Sequence, residues 1–178
     1  HGWTMGDIGL GYGLIILATG PLGVVLAGSL IDRLHRAGQQ NAELKVALLS
    51  IAICLPGVVY LPLAATGQAA LMAMIPASIG PAMTTASGSI AVINVTPNQI
   101  RGQTMALYLL TISLLGLSLG PTAVALLTDY VFKDPAMIDW SISCVVIASS
   151  LVSAVMLWRC LQPFGEGVRE TVNLARST

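Results

Sequence analysis

The apolar positions of this chain run in long blocks bounded by charge. Between Ile8 and Ile31, Val46 and Ile100, Gly102 and Thr128, and Trp140 and Trp158 there is no Asp, Glu, Lys or Arg. These blocks hold 24, 55, 27 and 19 residues, 125 of the 178 together, and both histidines lie outside them. A charged side chain at mid-bilayer costs roughly 2.5–3.5 kcal/mol on insertion scales, so hydrocarbon is the solvent that selects such gaps. A helix needs about 20 apolar residues to cross. The longest block has room for two crossings and a turn. The pattern therefore predicts five spans, at about 8–31, 45–65, 69–93, 103–127 and 139–160, with 161–178 as a polar tail. The fold class expected is all-α, a polytopic transmembrane helix bundle.

The connections carry their own signals. Inside the long block the run breaks at Ala64-Ala65-Thr66-Gly67-Gln68, and Pro62 discourages continuing the helix before it. Thr96-Pro97-Asn98-Gln99 has the form of a capping box with proline at the first helical position. That spacing predicts that the fourth helix starts as a short stub near Pro97.

Charge sets the orientation. With five spans, Arg33, Arg36, Lys45, Arg101, Arg159, Arg169 and Arg176 fall on one side and Lys133 alone on the other. Seven against one assigns the first side to the cytoplasm. The N-terminus is then outside and the C-terminus inside, in a plasma membrane, the bacterial inner membrane being the expected one. Trp3, Tyr130, Phe132 and Trp140 mark the outer boundary and Trp158 and Phe164 the inner one, as interfacial belts require.

Composition narrows the class further. Hydrophobic residues make up 55 % and charged residues 9 %, with mean hydropathy +0.82, against about 25 % charge in ordinary globular chains. The net charge of zero leaves no basic face for nucleic acid. Cys54, Cys144 and Cys160 lack C-x-x-C spacing and read as packing residues, so neither a disulfide nor a metal is implied. Gly88-Ser89 has part of an intramembrane serine-protease elbow, but no span holds a histidine to act as its base. No zinc spacing, nucleotide loop or intramembrane carboxylate is present. No enzymatic activity and no cofactor are expected. The lack of an initiator methionine and the odd number of spans predict a fragment.

The spans differ in glycine. The first carries Gly9, Gly11, Gly13, Gly20, Gly23 and Gly28, the third Gly80 and Gly88, the fourth Gly116 and Gly120, the second only Gly57 and the fifth none. Small residues let helices approach closely in lipid, so the first, third and fourth spans are expected inside and the others outside. Gly9-x-x-x-Gly13 and Gly116-x-x-x-Gly120 suit close crossing. Pro21, Pro56, Pro76, Pro81 and Pro121 fall within spans, and each permits a kink. So many bends favour a bundle that changes shape.

Gly28-Ser-Leu-Ile-Asp32-Arg33-Leu-His35-Arg36 closes the first span. Asp32 is placed to accept from a neighbouring helix N-terminus, and Arg33 and Arg36 to pair with carboxylates or lipid phosphates. A positive-inside stop with an incidental aspartate explains the same residues. This Gly-x-x-x-Asp-Arg loop resembles the loop signature of the major facilitator superfamily. Pro97-x-x-x-Arg101-Gly102, followed by Gly116-x-x-x-Gly120-Pro121, resembles that family's fifth or eleventh helix. The glycine-rich flavour is similar to the spinster-like branch and its bacterial relatives. His35 stands where the family has a loop glycine, and Ala37 where a basic residue is common.

The resemblance implies half of a major-facilitator-type fold, helices eight to twelve being favoured over helices two to six. It implies a secondary transporter of small organic or amphipathic solutes, whose partners are a small-molecule substrate, the bilayer and the missing amino-terminal helices. Gly28, Asp32, Arg33, Arg36 and Arg101 would form a cytoplasmic gate, with Gly116, Gly120 and Pro121 serving packing and kinking. Ser78, Thr84, Thr85, Ser87, Ser89, Thr111 and Ser113 are candidates to line the cavity; back-bonding to the carbonyl four residues earlier is the alternative for each. The five spans hold no ionisable group for proton coupling. A non-transporting scaffold or assembly subunit is the competing function. The scattered Ser and Thr do not form the polar rings of a pore.

Overall fold

The computed structural model describes residues 5–64, 66–133 and 138–177. It is 91 % helical, and no strand occurs among the described residues. Five helices are long and apolar enough to cross a membrane: α1 (Met5–Arg36), α2 (Ala42–Tyr60), α3 (Gly67–Val95), α4 (Arg101–Leu126) and α5 (Ile138–Ser177). The expected spans 8–31, 69–93 and 139–160 lie within α1, α3 and α5, whereas 45–65 runs past the end of α2 into residue 65, outside the described residues, and 103–127 passes α4 by one residue. The chain is an all-α helical bundle and an integral membrane protein.

Local chemistry explains the ends. α1 runs on through Asp32 to Arg36 because cations suit the negative end of the helix dipole, and Arg33, His35 and Arg36 occupy its last turn. It stops at Gly38, whose φ of +79° is left-handed. The Gln39 amide donates to the Leu34 carbonyl at 3.0 Å and the Gly38 amide to His35 at 2.9 Å, a Schellman closure. α2 gives way to a 3-10 turn, Leu61–Leu63, at Pro62. Thr66 then caps α3, its hydroxyl accepting from the Ala69 amide at 3.2 Å. α4 winds into a π-helical turn, Leu127–Phe132, closed by a left-handed Lys133 whose amide reaches the Thr128 carbonyl at 2.8 Å. α5 continues as helix beyond the membrane-length segment, which ends at Leu161, to Ser177.

The capping box at Thr96 does not form. The Thr96 hydroxyl donates backwards to the Val92 carbonyl at 2.6 Å, finishing α3 instead of starting α4. Residues 98–100 make a turn in which the Ile100 amide meets the Pro97 carbonyl at 3.2 Å, and α4 begins at Arg101 without a side-chain cap. Donating to Val92 turns the Thr96 hydroxyl back over the last turn of α3, where it serves an orphan carbonyl, and its oxygen caps no amide of α4.

Hydrogen bonds between helices fix which ends lie together. At one end Asn94 of α3 reaches Glu43 of α2, and the Asn41 amide donates to the Leu161 carbonyl of α5 at 3.3 Å. At the other, the Thr128 and Ser141 hydroxyls meet at 2.8 Å and the Ser143 hydroxyl donates to the Val58 carbonyl at 3.3 Å. Arg33, Arg36, Lys45, Arg101 and Arg159 therefore cluster towards one end, and Lys133 lies at the opposite one. Arg169 and Arg176 sit on the α5 extension beyond the basic end.

The core is a seam centred on α3. Buried positions recur at helical spacing as Thr19, Gly23, Ala27 and Ile31 on α1, as Val46, Ser50, Cys54, Gly57 and Val58 on α2, and as Ala73, Gly80, Met83 and Ser87 on α3. A Cβ at Gly80 would lie 2.5 Å from the Cys54 Cβ and 2.8 Å from the Ser50 carbonyl oxygen. One at Gly57 would lie 2.6 Å from the Ala73 carbonyl oxygen, and one at Gly23 2.7 Å from the Ala82 Cβ. Backbones touch there because no side chain intervenes.

This departs from the ranking by glycine content. α2, with a single glycine, buries the most of its length, because one missing side chain at each crossing point admits the partner backbone. α4 buries no residue, and nothing lies within 4 Å of a Cβ built at Gly9, Gly13, Gly116 or Gly120.

We expect Gly80→Ala to destabilise the chain by about 1–3 kcal/mol, since Ser50 contributes backbone that cannot swing aside. Gly116→Ala should leave stability unchanged or slightly raised. Thermal unfolding of both variants in detergent micelles reads the difference.

Candidate functional site

The Schellman turn at Gly38 has a chemical consequence. It folds α2 back against α1, so that Glu43, in the first turn of α2, is driven under the end of α1. Glu43 is 1 % exposed. His35 Nε2 of α1 lies 3.1 Å from its Oε1, and the Asn94 amide of α3 donates to the same oxygen. The remaining oxygen, Oε2, is buried with no hydrogen-bond partner among the described residues. A carboxylate at a helix N-terminus is favoured by the dipole, but leaving one of its oxygens buried and unpaired is costly. The His35 side chain is 39 % exposed and links this enclosed carboxyl to the surface.

Sequence reasoning missed this triad. It began the second span at Lys45 and counted no carboxylate within the spans; the helix begins at Ala42, and the membrane-length segment Ala42–Leu63 includes Glu43. The available signal was Gly38, a helix stop five residues before a lone acid that leads into an apolar run.

The expected gate residues lie around this triad on the outside. Asp32, Arg33, Arg36 and Arg101 are exposed and Gly28 is half-buried. Asp32 makes no hydrogen bond or ion pair with another described residue, and Gly28 has nothing within 4 Å of a Cβ position. The structure brings Asp32, Arg33 and Arg36 to one helix end but supplies no partner for them among the described residues.

The hydroxyl residues divide differently. Ser78, Thr84, Thr85, Ser87, Ser89 and Thr111 each donate to the carbonyl four residues earlier, over 2.6–3.1 Å. Ser87 is buried in the seam, and Ser89 meets Tyr108 of α4. Thr111 and Ser113 are exposed on α4, as are Gly116 and Pro121, with Gly120 half-buried. Thr84 also bonds Ser50 at 2.6 Å. With Thr85 and Cys54 it lines a crevice of about 280 Å³ whose opposite wall, from α5, presents Ser149, Ser150 and Ser153. Those three serines had no place among the sequence candidates, because a hydroxyl in an apolar helix carries no sign of which neighbour it meets. Of the cysteines, Cys54 is buried and Cys144 and Cys160 are exposed.

Compared with known protein families, curated proteins and solved structures, the chain matches none. The geometry itself defines the class: a five-helix integral membrane protein with a basic end, an enclosed carboxyl at that end and a bundle closed on one side only.

Removing Asn94 tests how tightly the triad is bound. Asn94→Ala deprives Glu43 Oε1 of a donor to a charged acceptor, so we expect a loss of about 1.5–3 kcal/mol. Glu43→Gln, which keeps an acceptor at that position, should cost less. Thermal melts in micelles check the order of the two.

Proposed function

We propose that this chain is one bundle of a secondary transporter that works by alternating access, similar in plan to the major facilitator superfamily, moving small organic or amphipathic solutes. The observation that carries the reading is the one-sidedness of the bundle. α4 has the length and hydropathy of a span yet buries no residue, and its glycines Gly116 and Gly120 have open space where a partner backbone would fit. At the basic end of α1, the exposed Asp32, Arg33 and Arg36 have no partner among the described residues. A second helix bundle packed against α4 and the end of α1 would cover both, supplied by amino-terminal helices that complete the transporter. Rocking of two such bundles about a midplane site is the established plan of secondary carriers.

In this reading the basic end faces the cytoplasm of a bacterial inner membrane, by the positive-inside rule. Asp32 and the two arginines hold the cytoplasmic side shut against the second bundle, and Arg101 receives the equivalent loop from it. Thr111 and Ser113 line the path. The prolines within α1, α3 and α4 give the helices points at which to bend as the bundles rock. A scaffold subunit would also present an unburied helix face, but it has no need of a path open to both sides.

Accessibility decides between them without knowledge of the solute. In full-length protein with its native cysteines replaced, Ser113→Cys should react with an impermeant maleimide added to either side of sealed vesicles. Asp32→Asn should shift the ratio of the two reactions about tenfold towards the cytoplasmic side, as loss of a charge-assisted contact worth about 1.4 kcal/mol would. Reaction from one side only, unaltered by Asp32→Asn, would establish the scaffold.

A further inference from the structure

We propose that Glu43 is a proton-binding site, loaded from the water at the basic end through His35. Three observations converge on it. Oε1 accepts from Asn94 and lies 3.1 Å from His35 Nε2. Oε2 is enclosed, with no partner among the described residues, in a residue only 1 % exposed. The imidazole that touches Oε1 is itself partly in solvent. No ion or solute approaches a carboxyl so enclosed without prising the helices apart, whereas a proton reaches it along a hydrogen bond.

The chemistry balances with these atoms alone. With Nε2–H facing the carboxylate, a proton from water adds to His35 Nδ1 while the Nε2 proton crosses to Glu43 Oε1. The product is a neutral imidazole with its hydrogen on Nδ1 and a neutral carboxylic acid. The new O–H donates back to Nε2, Asn94 continues to donate to the same oxygen, and Oε2 becomes the carbonyl of an acid. An unpaired neutral carbonyl is far cheaper to bury than an unpaired carboxylate oxygen. The triad gains one proton and loses its negative charge, with every donor still satisfied. Release is the reverse.

Among the described residues, nothing else nearby competes for that role. On α1, Asp32, Arg33 and Arg36 are exposed and unpaired with Glu43. On α2, Lys45 donates to Gln39 at 2.8 Å. α3 has no ionisable side chain between Gly67 and Val95, and the Arg159 contributed by α5 is exposed. The proton site stands on this geometry. That the proton is the ion coupled to solute movement rests on the carrier reading above: charging Glu43 favours parting α1 and α3 so that water reaches Oε2, and neutralising it favours the closed seam.

Infrared difference spectroscopy on the full-length protein in lipid nanodiscs tests the site itself. Acidification should raise a carboxylic-acid carbonyl band that is lost in Glu43→Gln, an isosteric change that leaves the seam intact. His35→Phe, which keeps the ring volume, should slow the rise of that band after a pH jump about tenfold or more. Wild-type and Glu43→Gln spectra that superimpose would overturn the proposal, and an unchanged rate in His35→Phe would overturn the route. The Ser113→Cys labelling ratio then tests coupling: it should change with pH in wild type and lose that dependence in Glu43→Gln. Two-sided labelling indifferent to pH would refute the coupling and leave the carrier standing. One-sided labelling with the band intact would refute the carrier and leave the proton site.

Discussion

The bundle depends on the close approach of α3 to both α1 and α2. In hydrocarbon there is no hydrophobic gain from bringing apolar helices together, so contact must come from van der Waals packing at short range. Gly80 against Ser50 and Cys54, Gly57 against Ala73, and Gly23 against Ala82 provide it, each by omitting a side chain. Met83, buried to 1 %, fills the space where α1 and α2 both meet α3. Because these crossings are fixed at backbone distance, the ends of the three helices are fixed as well. Asn94 then falls over Glu43, and His35 is held against its side.

Much of this architecture was legible in the sequence because the membrane imposes it one residue at a time. A charge-free block long enough to cross must satisfy its backbone as a helix, so spans and connections follow from composition with no knowledge of tertiary contacts. Thus the ends of α1, α2 and α3 fall near the bounds expected from charge alone, and the basic residues gather towards one end. Gly38 and Pro62 also stop their helices as local chemistry dictates.

What the sequence concealed is pairwise. Thr96 looked like an N-cap, whose oxygen would accept from an amide of the next helix, but its hydroxyl turns back and donates to the Val92 carbonyl. Gly116-x-x-x-Gly120 looked like a packing motif, yet the crossings within this chain use single glycines opposite Ala, Ser and Cys on the partner. Glu43 looked like a loop residue because charge was used to define where a span begins, and that criterion places every acid outside by construction. Only the return of α2 beneath α1 puts it inside. The hydroxyl candidates could not be sorted from the sequence for a related reason: back-bonding satisfies Ser78, Ser87 and Thr111 wherever they face, so polarity alone does not tell seam from crevice.

The same packing that encloses Glu43 gives the enclosed carboxyl its leverage. Oε2 stays unpaired only while α1, α2 and α3 remain at the separation that Gly23 and Gly80 permit. A charged carboxylate therefore works against the seam and a neutral one does not, so protonation and helix separation become two faces of a single equilibrium. An exposed acid such as Asp32 has no comparable hold on the backbone: water solvates it equally in any arrangement, and it acts only through a partner across an interface. The two acids at the basic end thus do different work. Asp32 can join one bundle to another, while Glu43 reports on, and biases, the integrity of its own.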